Sequence, residues 1–282
     1  MINYKATISY DGTNYKGWQV QSNTSDTIQG KLQDILEKLA GEKVEVIGSG
    51  RTDAGVHAIA QVANFHLEET VLLKLQNQND TNSADSYLDK ASTNKNISTE
   101  NNLDKALLMY INEKLPRDIA LNSLEQVNDK FHARFNAIEK TYRYRIHVSP
   151  IANVFEKRFV YTYLDYPLDI DFMRKAAGLM LGKKDFKAFC GNKHMKKSTV
   201  RTLNKIDIKE ITDENGLREI SIDYTGDGFL QNMIRIMTGT LIEVGSGRRK
   251  AESISETIQS LNRENAGYTA PPQGLSLLEV KY

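Results

Sequence analysis

Apolar positions along this chain switch between two periods. "YKATISYDG" opens with a strand pattern, followed by a Gly-rich turn ending in Gly17-Trp18-Gln19. The period then lengthens. Ile28, Leu32, Ile35, Leu36 and Leu39 take helical spacing from Thr27 to Ala40, with Ser25 or Asp26 expected to cap the start and Gly41 to stop it. Val44, Val46 and Ile47 read as a strand end, and Gln61 to Phe65 as the start of another strand. "LDKALLMYINEKLPRDIALNSLEQV" predicts a helix ended near Pro116 and then a strand. In "KTYRYRIHVSP" one strand face carries Tyr142, Tyr144, Ile146 and Val148, and the other Arg143, Arg145 and His147. Phe172, Ala176, Leu179 and Met180 predict an amphipathic helix over 171–181. Two strands are expected on either side of Asp213-Glu214-Asn215-Gly216. "QNMIRIMTGTLIEVGSG" predicts a further helix that ends at Gly245 to Gly247.

Residues 76–102 break this rhythm. They are dominated by Asn, Ser, Thr, Asp and Gln, cannot bury a core face, and are expected to form an exposed insertion. Elsewhere the 282 residues suffice for one large domain or two of ordinary size. "ATISYDGTNYKGWQ" and "ISIDYTGDGFLQNM" echo each other, as two related α/β halves divided near residue 128 would: 1–127, holding the insertion, and 128–282.

Composition narrows the chemistry. A formal net charge of +1 means that a nucleic-acid partner would need locally concentrated positive charge. The single cysteine, Cys190, allows no intrachain disulfide and no cysteine metal cluster, and His57, His66, His132, His147 and His194 lack metal-ligand spacing. No metal site is therefore expected. No segment reads as a signal peptide or approaches the ~20 apolar residues of a membrane span, so a soluble cytoplasmic protein is expected.

"VEVIGSGRTDAGVHAIAQVANF" is the chemically unusual stretch. It sets Arg51 and Asp53 among Gly48, Gly50 and Gly55, between two apolar runs. A nearby cation favours an ionised carboxylate, which suits a nucleophile better than a general acid. A second carboxylate in a similar setting is missing, against glycoside hydrolysis. The glycines match neither a phosphate loop nor a dinucleotide fingerprint. Three basic clusters, "FHARFNAIEKTYRYR", "KHMKKSTVR" and "GRRK", interleave cations with aromatics or stand as short runs. Any one alone reads as a solvated face; together they point to RNA.

"GRTDAGVHA", "YDGTNYKGWQ", "LPRDIA", "FHARFNA", "KTYRYRI", "GDGFLQNMIRIMTGTL" and "APPQGLSLLEV" together resemble the TruA family of tRNA pseudouridine synthases, nearly end to end. That resemblance implies an α/β (α+β) fold of two pseudo-symmetric halves. These form a mostly antiparallel sheet flanked by helices, with the active-site cleft between them. It further implies a homodimer without a cofactor, acting on uridines 38, 39 and 40 of the tRNA anticodon stem-loop. By motif position, Asp53 matches the nucleophile and Arg51 the arginine tied to base flipping. Tyr142 matches the tyrosine over the target base, and Arg235 the arginine paired with the aspartate. Phe131, His132, Ala133, Arg134 and Phe135, with Lys193, Lys196 and Lys197, match tRNA-contacting segments. On this reading the glycines let RNA approach closely. An RNA-binding module without chemistry is disfavoured by the intact Arg51, Asp53, Tyr142 and Arg235, and a sugar-bond hydrolase by the missing second carboxylate.

Overall fold

A computed structural model describes residues 1–72, 75, 99–192 and 194–282. Within the insertion expected at 76–102, residues 76–98 lie outside the described residues. The fold is α+β, with mostly antiparallel sheet and flanking helices. Two compact units are formed, one from Met1–Ala54 with Ala58–Ala137, the other from Gly55–His57 with Ile138–Tyr282. Among the described residues, no helix is long and apolar enough to cross a membrane.

In the first unit the chain runs β1 (Ile2–Tyr10), α1 (Ile28–Ala40), β2 (Ile47–Gly48), β3 (His57–Leu67), α2 (Thr99–Lys114) and β4 (Ile119–Val127). β1 is central, antiparallel to β3 on one side and β4 on the other, and β2 adds to β3. Its register shifts between Ile8 and Tyr10, which sets Tyr10 opposite Ala58. Ala6, Ile8, Leu36, Ala63, Ile111 and Leu121 meet in the apolar layer between sheet and helices. Each buried Leu or Ile side chain there contributes about 1.5–3 kcal/mol.

Several boundaries differ from the periodicity. Thr27, not Ser25 or Asp26, caps α1: its extended backbone lets the side-chain oxygen accept from Gly30 N–H at 3.2 Å. Gly41 ends the helix in the left-handed region, as expected (φ 78°). Val44 and Val46 are buried without joining a strand, and β3 starts at His57, well before Gln61. α2 starts at Thr99 rather than Leu103, because the first turn of a helix, whose amides have no partner within the helix, accommodates polar residues.

The second unit holds β5 (Glu139–His147), β6 (Tyr161–Thr162), α3 (Ile170–Met180), β7 (Gly182–Asp185), β8 (Val200–Thr212), β9 (Arg218–Gly226), α4 (Met233–Gly245), α5 (Ser253–Ser260) and β10 (Leu275–Lys281). The strand order is β10-β5-β9-β8-β7, antiparallel throughout, with β6 parallel to the end of β5. Asp213 closes the β8–β9 hairpin by accepting from the amides of Asn215 and Leu217, and Gly216 supplies the positive φ of 75°. On α3 the buried stripe is Met173, Ala176, Ala177 and Met180, one position round from the expected face, so Phe172 is exposed. His147 also departs from expectation. It is buried rather than solvated, because its Nε2 finds the Ile151 carbonyl at 2.8 Å.

Residues 128–137 are tied to the first unit by two buried asparagines. Asn64 Oδ1 accepts from Ala133 N–H at 2.9 Å, and its amide donates to Asn3 Oδ1 at 3.1 Å. Asn3 Nδ2 in turn reaches the carbonyls of Asn128 and Phe131, both at 3.0 Å. Asn64→Leu should therefore remove the acceptor that Asn64 gives the Ala133 amide and lower unfolding free energy by about 1–3 kcal/mol. Urea denaturation should show the loss, and the Ala133 amide should exchange with deuterium faster than its neighbours.

Candidate active site

Thr52 anchors the turn that carries Arg51 and Asp53. Its carbonyl accepts from Trp18 N–H at 3.1 Å, and its hydroxyl lies 2.8 Å from that of Tyr10 in a buried contact. Burial raises the Tyr10 phenol well above its ordinary pKa, so it remains a neutral partner. From β3, buried Gln61 accepts from Ser49 Oγ at 2.6 Å and donates to the Gly50 carbonyl at 3.0 Å. With Thr52 held inward, Arg51 is exposed and Asp53 half-buried. Arg51 Nε donates to Gln19 Oε1 at 3.1 Å.

Two of the three glycines around this turn face the protein itself. A Cβ at Gly48 would sit 2.5 Å from the Trp18 indole, and one at Gly55 (φ 76°) would sit 2.9 Å from Pro272. Packing alone demands that those two be small, without appeal to an approaching RNA. The sequence could not distinguish these reasons, since a missing side chain leaves no record of what it makes room for.

In the second unit, Tyr142 lies on β5 between Leu277 and Tyr224 of the neighbouring strands. It is mostly buried, with its ring edge-on to Phe229 at 5.3 Å. Behind it, Tyr144 donates its hydroxyl to the Pro271 carbonyl at 2.7 Å, and burial raises its pKa far above the ordinary value. Arg235 occupies the first turn of α4. Its Nε donates to the Ala270 carbonyl at 2.7 Å and its Nη1 to Asn232 Oδ1 at 2.9 Å. Asn232 itself takes a left-handed backbone (φ 58°) at the helix start.

The residues matched to tRNA contact divide by burial. Ala133 is fully buried and anchors its segment, while Phe131 and His132 are half-buried. His132 Nδ1 accepts from the amides of Arg134 and Phe135 at 3.1 and 3.3 Å, which places the ring proton on Nε2 in the neutral form. Arg134 and Phe135 project outward, and the Phe135 ring, 76% exposed, stands 4.2 Å from the His132 ring. Lys196 and Lys197 are exposed; Lys193 lies outside the described residues. The basic clusters divide in the same way. Arg143 forms a two-pronged pair with Asp223, Arg145 binds Glu219 and Glu156, and Arg249 binds Glu243, all at 2.7–2.9 Å. Those cations are paired with carboxylates of their own unit.

Sequence reasoning gave no role to Tyr10, Gln19, Gln61 or Asn232. All four sit inside stretches already singled out, and Gln61 carries a further signal as a polar residue on the inward face of a strand.

A family model described as tRNA pseudouridine synthase matches residues 6–136 and 176–282, so the family's domain is present as two halves. Full-length relatives agree. The chain is 39% identical over 282 residues to tRNA pseudouridine synthase A of Bacillus sp. (strain KSM-64), covering 100% of both chains. It is 38% identical to tRNA pseudouridine synthase A 1 of Protochlamydia amoebophila (strain UWE25), over 99% of this chain and 96% of that protein. The tRNA pseudouridine synthase A of Brevibacillus brevis is 37% identical, again over 100% of both.

Gly17 tests how tightly the turn is held. Its φ is 99°, and a Cβ there would lie 2.6 Å from the Thr52 carbonyl oxygen. Gly17→Ala should cost about 1–3 kcal/mol of stability, read by urea unfolding, because both the strain and the clash fall on backbone.

Proposed function

The chain belongs to the tRNA pseudouridine synthase family, and from that premise we propose that it acts on positions 38, 39 and 40 of the tRNA anticodon stem-loop, as a homodimer in the cytoplasm. The enzyme is an isomerase that converts uridine in tRNA to pseudouridine. The observation that carries the finer reading is the "GRTDAGVHA" motif, with its Arg51 and Asp53 on a turn fixed at Thr52.

Pseudouridine formation breaks the N1–C1′ bond of uridine, turns the uracil, joins C5 to C1′ and releases the C5 hydrogen. Redox balance is unchanged, and the net exchange with solvent is one proton released for one taken up. In this reading Asp53 is the catalytic carboxylate, acting either as a nucleophile that adds to the sugar or as a base that removes a proton from it; both routes begin from the ionised form. A stem uridine must first leave the stack at a cost of a few kcal/mol. Arg51, exposed on its anchored turn, fills the vacated position. Tyr142 stacks on the extruded uracil, and Arg235 is the cation that keeps the aspartate ionised. Among the described residues, Arg134, Phe135, Lys196 and Lys197 are the exposed members of the RNA-contacting set. A guanidinium and ammoniums answer phosphates, and the projecting ring answers an unpaired base.

Release of tritium from tRNA carrying C5-labelled uridine tests the reading directly, since joining C5 to the sugar frees that hydrogen. Release should vanish when uridines 38 to 40 are replaced by cytidine; release that persists would place the target elsewhere. Asp53→Asn keeps the size and removes the charge. Its turnover should fall at least about a thousandfold while tRNA affinity stays close to wild type. Turnover within tenfold of wild type would remove Asp53 from the catalytic role.

Binding should also depend steeply on salt, through counterion release from the RNA backbone. Joint replacement of Lys193, Lys196 and Lys197 by Ala should weaken binding and flatten the log–log salt slope by about 0.7–0.9 for each phosphate left without its lysine. A slope equal to wild type would assign these lysines to a solvated face.

A further inference from the structure

Arg51 is exposed, yet its guanidinium is the end of a hydrogen-bonded relay that starts in the protein interior. Its Nε donates to Gln19 Oε1 at 3.1 Å, and Gln19 Nε2 donates to Gln29 Oε1 at 2.6 Å. Gln29, on α1 and only 8% exposed, donates its Nε2 to the Val46 carbonyl at 2.7 Å and accepts from Val20 N–H at 2.8 Å.

The two backbone groups at the inner end set the direction of the whole relay. An N–H only donates and a carbonyl only accepts, so Val20 and Val46 leave Gln29 a single amide orientation. The Gln29 oxygen must then receive the Gln19 nitrogen, which turns the Gln19 oxygen toward Arg51. A neutral carbonyl at that point fixes the guanidinium without cancelling its charge. A glutamate at 19 would oppose oxygen to the Gln29 oxygen and would neutralise Arg51. A free arginine would surrender its rotamer freedom at each encounter with RNA, whereas the relay fixes the side chain beforehand.

We propose that Gln19 is a positioning residue for the reaction: through buried Gln29, it holds the Arg51 guanidinium in the orientation that replaces the extruded base. The proposal rests on the role given to Arg51 under the proposed function.

The test compares wild type, Gln19→Met, Gln19→Ala and Arg51→Met in single-turnover tritium release on two tRNAs. These differ only in whether the target uridine is paired with adenosine or set opposite a mismatch. Met conserves the volume of Gln while removing both hydrogen bonds, and Ala guards against a packing artefact of Met. Loss of a fixed guanidinium should slow the paired substrate about tenfold or more in both Gln19 variants, and the mismatched one by less than about threefold, because a mismatched base leaves its stack with little help. Equal slowing on both substrates, or none on either, overturns the positioning role of Gln19. An Arg51→Met variant that fails to discriminate between the substrates overturns the base-replacement role of Arg51, and the relay with it.

A readout without RNA separates the two failures. Nitrogen-15 relaxation at Arg51 Nε–H should report an ordered group in wild type and a mobile one in Gln19→Met and Gln19→Ala. Equal mobility in all three would overturn the relay whatever the activities show.

Discussion

Burial of Thr52 is the constraint on which the front of the first unit depends. A threonine inside an exposed, polar turn needs partners for its hydroxyl and its carbonyl, or the turn would open to water. Tyr10 meets the hydroxyl and the Trp18 amide meets the carbonyl, so β1 and the segment before α1 are both committed to this turn. The rest follows by geometry. The Trp18 indole covers Gly48, Gly17 passes beneath the Thr52 carbonyl, and the side chains flanking the inward Thr52 are an exposed Arg51 and a half-buried Asp53. Backbone and buried polar atoms thus fix the position of both side chains at their base.

The same device recurs in the second unit. Tyr224, in the "ISIDYTGDGF" strand that echoes "ATISYDGTNY", also places its hydroxyl 2.8 Å from a buried threonine, Thr238 of α4. Burial raises the pKa of both phenols, which keeps them as neutral hydrogen-bonding groups rather than bases. One strand–tyrosine–threonine arrangement thus serves two ends. In the first unit it holds the turn of Arg51 and Asp53; in the second it ties β9 to the helix whose first turn presents Arg235.

Charge is used economically in a chain whose formal net charge is only +1. Arg143 and Arg145 alternate with Tyr142, Tyr144 and Ile146 on β5, and their carboxylate partners on β9 and at Glu156 make the polar face of the strand self-sufficient. Among the exposed cations of the described residues, Arg134, Lys196 and Lys197 lie on loops. Loops tolerate solvated charge at little cost, and a flexible ammonium or guanidinium there can follow a phosphate backbone. Basic clusters in a sequence therefore overstate the charge presented to a partner, because spacing alone does not reveal where the opposing carboxylates fall.

Local physics made much of this protein legible from the sequence. The α1 period, the Gly41 stop, the β5 alternation of buried aromatics and the Asp213–Gly216 hairpin depend on neighbours a few residues away, and each stands as read. The motif around Asp53 was equally plain, since its identity is a matter of consecutive residues. What only the tertiary structure decided involves partners far along the chain. Gly48 is small because of Trp18, and Gly55 because of Pro272. Phe172 is left out of the core because Met173, Ala176, Ala177 and Met180 take the buried stripe. The orientation of Arg51 is set through Gln19 and Gln29 by the backbone at Val20 and Val46. Periodicity carries information about which face of an element is apolar, but a hydrogen bond or a close approach depends on where two distant segments meet, and that is settled only when the chain packs.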